Sequence, residues 1–228
     1  MLVKNWMCRD VVTLDEKESM QTAVRLMKEN DIRMLPVMKD KKLVGVVTDR
    51  DLKRASASDA TLLEAHELLY LLSKIKVKDI MTKNPITVPE DLTVEETAEI
   101  LLANKISGVP VVDRSGKVVG TITQTDLFKV LISLTGVGSR GIQYAFELDD
   151  LPGSIKEIAD IMRNFGGRIV SIMSTSNGVP KGKRKVYIRG FGIDRKNLEA
   201  LKGQLDKKSK VLYMIDHREN RRVIYENQ

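Results

Sequence analysis

The sequence predicts an α/β (α+β) protein in which two β-α-β-β-α repeats are followed by a ferredoxin-like βαββαβ domain. Three observations lead to this prediction: an internal repeat, alternation between helical and strand-like hydrophobic periodicity, and glycines near residue 140. The chain has 228 residues, of which 42% are hydrophobic and 30% are charged, a composition typical of globular proteins with two compact units. The longest apolar runs are strand-sized, so we expect no membrane span.

The repeat relates residues 3–38 to residues 77–112 at an offset of 74 positions. One residue is gained in the next turn, and the matches continue at an offset of 75. An insertion in a turn, with matches in the flanking elements, is typical of duplicated modules. The main matches are Val3/Val77, Lys4/Lys78, Met7/Met81, Thr13/Thr87, Pro36/Pro110, Gly45/Gly120, Thr48/Thr123 and Asp51/Asp126.

Both repeats give the same order of predicted elements. Ser19 is the expected N-cap of the first helix in repeat one, and Thr93 with Glu96 forms a capping box in repeat two. Two strands joined by a charged turn follow, and a second helix is expected to open at an aspartate. The predicted strands and openings are Val11–Leu14, Met34–Met38, Leu43–Val47 and Asp51 in repeat one, and Ile86–Val88, Val109–Val112, Val118–Ile122 and Asp126 in repeat two.

These elements divide the chain into four predicted segments. Residues 1–57 form repeat one, 58–75 an apolar linker helix, 76–135 repeat two, and 141–220 a C-terminal domain. Gly136, Gly138 and Gly141 indicate the linker before that domain. Its expected elements are strands at Ile142–Leu148, Arg168–Ser174, Val186–Gly190 and Val211–Ile215, with helices at Ser154–Phe165 and Lys196–Leu205.

A threonine at the end of a strand, next to free N–H groups of a helix N-terminus, suits a phosphate oxygen. An aspartate three residues later can accept hydrogen bonds from ribose hydroxyls. Both repeats carry this spacing, in Gly45-Val-Val-Thr48-Asp-Arg-Asp51 and Gly120-Thr-Ile-Thr123-Gln-Thr-Asp126. The phrases resemble the G-h-h-T-x-x-D signature of CBS domains, and the Lys-x-x-Met and proline positions of each repeat agree with it.

The resemblance implies two clefts that take an adenosine ligand: AMP, ADP, ATP or S-adenosylmethionine. The residues implied as nucleotide-binding are Thr13, Met34, Leu35, Thr48, Asp51, Thr87, Gly108, Val109, Thr123 and Asp126. A simpler alternative stays open, because Thr and Asp also cap helices without binding any ligand.

In the C-terminal domain, Asp149-Asp-Leu-Pro-Gly-Ser-Ile155 followed by Phe165-Gly-Gly167 resembles an ACT domain. ACT domains commonly bind amino acids, and Pro152-Gly153 would expose backbone N–H groups to a carboxylate. Arg168 stands where the ACT pattern commonly has Asn. The alternative is a tight turn in a domain that serves dimerisation. The candidate ligand residues are Asp150, Leu151, Pro152, Gly153 and Ser154.

Together these features predict a regulatory sensor, not an enzyme, which resembles AcuB-like acetoin-utilisation proteins and other CBS–ACT regulators. The sequence offers no catalytic or metal-binding pattern, so no cofactor is expected besides the adenosyl ligand. We expect a homodimer that acts on an unidentified protein partner. The single Cys8 favours a cytoplasmic location.

Two alternatives to the sensor remain: a structural dimerisation module without ligand, or a nucleic-acid-binding regulator that uses the basic C-terminal domain. Residues 141–228 contain 17 Lys and Arg against 11 Asp and Glu. The basic run Lys181–Lys185 is interpreted as a solvated hairpin, because no nucleic-acid-binding motif accompanies it. Nucleic acid is therefore not the expected partner.

Overall fold

The computed structural model describes residues 1–59 and 74–225, with the side chains of 56–59 left out. The predicted linker helix at 58–75 lies almost wholly outside the described residues. The chain divides into two units, Met1–Phe128 and Lys129–Gln228.

The first unit contains both repeats, each with a small sheet and helices. Repeat one comprises β1 (Leu14–Asp15), α1 (Met20–Glu29), β2 (Met34–Lys39), β3 (Lys42–Thr48) and α2 (Asp49–Asp59). Repeat two comprises α3 (Val77–Ile80), β4 (Thr82–Lys83), β5 (Val88–Pro89), α4 (Val94–Ala103), β6 (Gly108–Val112), β7 (Val118–Thr123) and α5 (Gln124–Thr135). Helix α5 begins in the first unit and ends in the second.

The two sheets share one topology. In repeat one β1 pairs parallel to β2, and β2 pairs antiparallel to β3. In repeat two β5, β6 and β7 repeat this arrangement. Because β1 and β2 start at the end of the sheet where β3 finishes, the start of α2 lies at that same end. The same holds for α5 in repeat two.

The caps of the first helices are as predicted. Ser19 Oγ accepts a hydrogen bond from the N–H of Thr22, and Thr93 and Glu96 form a reciprocal capping box. The second helices begin two residues earlier than expected, at Asp49 and Gln124 rather than at Asp51 and Asp126. The reason is that the preceding threonine, and not the aspartate, occupies the N-cap position.

The repeats exchange the segments that precede their first strands. Leu2 forms a β-bridge with Thr93, and Lys76 forms the equivalent bridge with Ser19. The N–H of Val3 donates to Leu92 O at 2.8 Å, and the N–H of Val77 donates to Glu18 O at 2.9 Å. Val3 and Val77 are both completely buried. Each repeat is therefore completed by residues that precede the other.

The exchanged segments also pair with the outer strand of each sheet. Strand β4 pairs with β3 through Thr82 and Val46, and Cys8 forms the corresponding bridge with Thr121 of β7. Two glycines allow the crossing segments to approach. A Cβ on Gly45 would lie 2.5 Å from Met81 Sδ, and a Cβ on Gly120 would lie 2.5 Å from Met7 Sδ. A side chain at either glycine would overlap the methionine.

The second unit has the predicted β-α-β-β-α-β order, with one additional strand. Its elements are β8 (Ile142–Asp149), α6 (Ser154–Asn164), β9 (Arg168–Thr175), β10 (Lys183–Phe191), α7 (Leu198–Leu205), β11 (Lys210–Asp216) and β12 (Arg221–Ile224). The sheet order is β12-β11-β8-β10-β9, and without β12 this is the ferredoxin-like arrangement. The predicted domain end at residue 220 leaves out β12, which pairs with β11.

The core of this unit lies between α6, α7 and one face of the sheet. It is formed by alternate residues of the central strands and by the apolar faces of both helices, including Tyr144, Phe146, Ile158, Met162, Ile188 and Leu201. The basic run at 181–185 lies in the β9–β10 hairpin, as expected, but only Lys181 is in the exposed turn, and Lys183, Arg184 and Lys185 are half-buried at the start of β10.

The C-terminal end of α5 is fixed within the second unit. The carbonyl of Thr135 accepts hydrogen bonds from Arg189 Nε at 2.8 Å and from Ser171 Oγ at 3.0 Å. Gly136 follows in the left-handed conformation that commonly ends helices. Arg189 is 4% exposed, and burial lowers the pKa of its guanidinium. A cation at a helix C-terminus stabilises the helix dipole.

Gly45→Ala tests the close packing of the exchanged segment. The new Cβ would meet Met81 Sδ at 2.5 Å and Thr82 O at 2.9 Å. Such overpacking typically costs about 1–3 kcal/mol of unfolding free energy. Urea unfolding can be followed by the fluorescence of Trp6, the single tryptophan, which lies in the other exchanged segment. Gly203→Ala in α7 is the control, because no atom lies within 4 Å of its added Cβ. Equal stability of the two variants would contradict the packing argument.

Candidate functional site

The first candidate site lies where β3 ends and α2 begins. Asp51 Oδ2 accepts hydrogen bonds from the Thr48 N–H at 3.0 Å and from Thr48 Oγ1 at 2.7 Å. Its other oxygen, Oδ1, accepts from Arg54 Nη2 at 3.0 Å. Asp51 is 9% exposed, whereas the Arg54 side chain is 74% exposed. The carboxylate is thus held in one orientation beside a helix N-terminus.

The second candidate site has the same geometry at the start of α5. Asp126 Oδ2 accepts from the Thr123 N–H at 3.0 Å and from Thr123 Oγ1 at 2.7 Å. The N–H of Asp126 approaches Thr123 Oγ1 at 3.4 Å. These distances repeat those of the first site to within about 0.1 Å. The duplication seen in the sequence therefore extends to the hydrogen bonds of the two sites.

This arrangement supports helix capping and ligand binding equally well. The threonine hydroxyl and the aspartate carboxylate satisfy each other as a capping box does. The first N–H groups of the helix nevertheless point out of its end, and they favour negative charge there. Capping and binding use the same residues, so neither role excludes the other.

The other residues that the resemblance implies as nucleotide-binding lie near these two Thr–Asp pairs. Met34 lies directly opposite Thr48 in the β2–β3 ladder, and Gly108 lies opposite Thr123 in the β6–β7 ladder. Thr13 is exposed and precedes β1, while Thr87 is half-buried and precedes β5. All of these lie at the end of their sheet where the second helix starts. Leu35 and Val109, one residue further along their strands, are core residues that are 0% and 1% exposed.

The C-terminal unit contains a cavity of about 470 Å³ at the start of α6. Four of the five predicted ligand residues line it, namely Asp150, Leu151, Pro152 and Gly153. The fifth, Ser154, instead donates its hydroxyl to Leu151 O at 3.0 Å. Three further lining residues were not indicated by the sequence: Ile155, Lys156 and Arg184.

Arg184 reaches this cavity because β10 pairs with β8 and places it opposite Leu148. Its Nε lies 2.9 Å from Asp150 Oδ1. Lys183, the next residue along, forms a 2.7 Å ion pair with Asp149, and the hydrogen bond to that carboxylate raises the pKa of Lys183. The only sequence signal for Arg184 was its place in the basic run, which gave no indication of the cavity.

Residues 1–59 and 74–225 contain no group of three or more His, Cys, Asp or Glu side chains arranged to hold a metal ion. Within the same residues, no helix combines the length and apolar character needed to cross a membrane.

Curated relatives match the first part of the chain. A CBS domain-containing protein of Dictyostelium discoideum is 33% identical over 134 residues, which cover 58% of this chain and 92% of the relative. Inosine-5′-monophosphate dehydrogenase of Korarchaeum cryptofilum is 40% identical over 125 residues, or 55% of this chain. The match spans only 23% of the dehydrogenase, so the two share a fragment and not a whole protein.

Solved structures match the same region. The CBS domain pair of protein MJ0100, in complex with 5′-methylthioadenosine and S-adenosyl-L-methionine, is 31% identical with a TM-score of 0.50. That match covers 57% of this chain and 95% of the other. A Vibrio cholerae structure described as an acetoin utilization protein (AcuB) is 27% identical with a TM-score of 0.50. It covers 61% of this chain and 96% of its own.

The family model for the CBS domain matches residues 3–58 and 77–133. These two stretches are the repeats found in the sequence, and each contains one Thr–Asp site. Residues after 133 lie outside the match. The chain therefore belongs to the CBS-domain family, with a tandem CBS pair as its first unit.

Proposed function

We propose that this protein is a non-enzymatic sensor that binds an adenosine-containing ligand at the CBS pair and transmits occupancy through an ACT-like domain to a protein partner. The observation that carries the proposal is the duplicated Thr–Asp pair at the N-termini of α2 and α5. The ligand class is AMP, ADP, ATP or S-adenosylmethionine. The similar CBS pair of MJ0100, with its two adenosyl ligands, supports this class.

The geometry explains how Asp51 would bind a ribose. Its Oδ2 already accepts from Thr48, so the ribose hydroxyls would be recognised through Oδ1, which Arg54 contacts now. The Arg54 side chain is 74% exposed, so it could turn into solvent while a ribose hydroxyl replaces it as the donor to the nearly buried carboxylate. The N–H groups of the first turn would then interact with the 5′ substituent of the ligand.

Transmission would use α5, because this helix starts at Thr123–Asp126 and its last carbonyl is held by Arg189 and Ser171. A ligand can shift this helix only by binding one of its arrangements more tightly than another. The ACT-like assignment of the second unit rests on its strand order and on the Asp149–Ile155 phrase. No catalytic role is part of the proposal.

A homodimer and a cytoplasmic location complete the proposal. Three large apolar side chains of α5 are more than half exposed: Phe128, Leu131 and Ile132, at 64%, 53% and 56%. Contiguous exposed apolar surface commonly marks an interaction site. The exposed, unpaired Cys8 suits a reducing compartment.

The cavity at the start of α6 supports a second binding function, for an amino acid. Its lining provides cationic side chains, Lys156 and Arg184, for a carboxylate, and Asp150 for an amino group. The exposed Leu151 adds an apolar wall. A ligand carboxylate would compete with Asp150 for Arg184.

Thermal melting with AMP, ATP and S-adenosylmethionine tests the adenosyl site. A ligand at 100 times its Kd stabilises the folded state by about 2.7 kcal/mol. We expect this rise in melting temperature to disappear in Asp51→Ala, in Asp126→Ala or in both. The matched control is Glu96→Ala, which removes the same kind of capping box at Thr93. It should lower the starting stability, because α4 loses part of its cap, and keep the ligand-induced rise. An unchanged rise in both aspartate variants would leave Thr and Asp as helix caps only.

Titration with the twenty amino acids, followed by calorimetry, tests the cavity in the second unit. Arg184→Gln should weaken binding at least tenfold, because the carboxylate loses a charge-assisted hydrogen bond worth about 1.5–3 kcal/mol. Arg163→Gln, which removes an exposed partner of Asp160 on the same helix as Lys156, should bind like the wild type. If no amino acid binds the wild-type protein, the cavity is only the consequence of a tight turn.

A further inference from the structure

The two Thr–Asp sites differ at the residue that faces the threonine across the sheet. Met34 faces Thr48 in repeat one, and Gly108 faces Thr123 in repeat two. Residues directly opposite in an antiparallel pair project their side chains on the same face, with Cβ atoms about 4.5–5.5 Å apart. Met34 therefore presents a thioether side chain to Thr48, and Gly108 presents none to Thr123.

The glycine keeps the backbones close at the second site. A Cβ on Gly108 would lie 2.9 Å from Thr123 Cγ2 and 3.1 Å from Ile122 O. Residue 108 could not gain a side chain without moving Thr123. The Thr123 methyl therefore lies directly against the Gly108 backbone, an approach that depends on the absence of a side chain at this position.

Two residues of the first site are also more deeply buried than their counterparts in the second. Met34 is 8% exposed and Asp51 is 9% exposed, so the space beside the first carboxylate is already filled. Gly108, Thr123 and Asp126 are all half-buried. The aspartate of the second site is thus more exposed than that of the first, although the Thr–Asp hydrogen bonds are the same and both threonines are half-buried.

Charge favours the first site only for a phosphorylated ligand. Arg33 and Arg50 are exposed next to the first site, whereas the matching positions of repeat two are Ser107 and Thr125. A phosphate would be attracted by the two arginines. A ligand without phosphate gains nothing from them, so its choice between the sites depends on shape.

We propose that a phosphate-free adenosyl ligand occupies one site per chain, that of the second repeat, and that the residue facing the threonine decides this. The inference rests on the proposed adenosyl-binding function. It assigns Gly108 as the residue that opens the second cleft and Met34 as the residue that closes the first.

Calorimetric titration of the full chain with 5′-methylthioadenosine tests the inference. The expected stoichiometry is one ligand per chain. Asp126→Ala should abolish binding, and Glu96→Ala, which removes the Thr93 capping box outside both sites, should leave it unchanged. Two ligands per chain, or loss of binding in Asp51→Ala alone, would overturn the inference and leave the adenosyl-binding function standing.

Exchanging the residues that face the two threonines tests whether they determine which site binds the ligand. Gly108→Met should weaken binding at least tenfold, and Met34→Gly should raise the stoichiometry to two. If either variant melts at a much lower temperature, Gly108→Ala and Met34→Ala replace them, with a several-fold loss and a second weaker site expected. Gly203→Ala, far along the chain in α7, should bind like the wild type.

Undiminished binding by both Gly108 variants would show that the facing residue does not choose the site. A wild-type protein that binds neither 5′-methylthioadenosine, S-adenosylmethionine nor AMP would overturn the proposed function, and the inference with it.

Discussion

The close contact of a methionine with a glycine, made twice, is the constraint on which the first unit depends. Met81 lies against Gly45 and Met7 against Gly120, and each contact holds an exchanged segment on the sheet of the other repeat. Three residues after each glycine, the same strand ends at the signature threonine. The strand that presents Thr48 or Thr123 is therefore fixed by a segment from the opposite repeat. Because the contacts are equivalent in both directions, the strands that end at Thr48 and Thr123 are held on their sheets in the same way.

Local patterns in the sequence predicted most of the fold. The capping box of Thr93 and the strand pairs of both repeats depend on neighbouring residues, and they appear as expected. The exchange could not be predicted, because a match between Val3 and Val77 shows equivalence and does not tell which repeat each residue completes. Strand β12 was missed because Arg221-Arg222-Val-Ile has little apolar alternation, and it is a strand only because β11 offers an edge for pairing.

In the candidate sites, too, some features depend on neighbouring residues and could be predicted, whereas others depend on residues that are far apart in the sequence. Thr48 and Asp51 are three residues apart, so their hydrogen bonds follow from the start of a helix. By contrast, the register of the strand pairs is needed to know that Met34 and Gly108 lie opposite the two threonines. Lys156 and Arg184 border one cavity although they are far apart in the chain, and only the β8–β10 pairing brings them together. The cap also fixes the aspartate rotamer, so a ligand that bound there would not have to order this side chain.

The exchanged segments also bear on how such a chain can arise. In a single repeat, the segment equivalent to Val3–Met7 would have its binding groove on a second molecule, since it does not fold back on its own sheet. Two identical copies would therefore satisfy these contacts only by associating, with an affinity that depends on their concentration. Joining the copies in one chain replaces that association by an intramolecular contact with an effective concentration in the millimolar range for a short connection. Once joined, the halves need not remain identical, and positions such as 34 and 108 can diverge while the shared contacts hold the pair together.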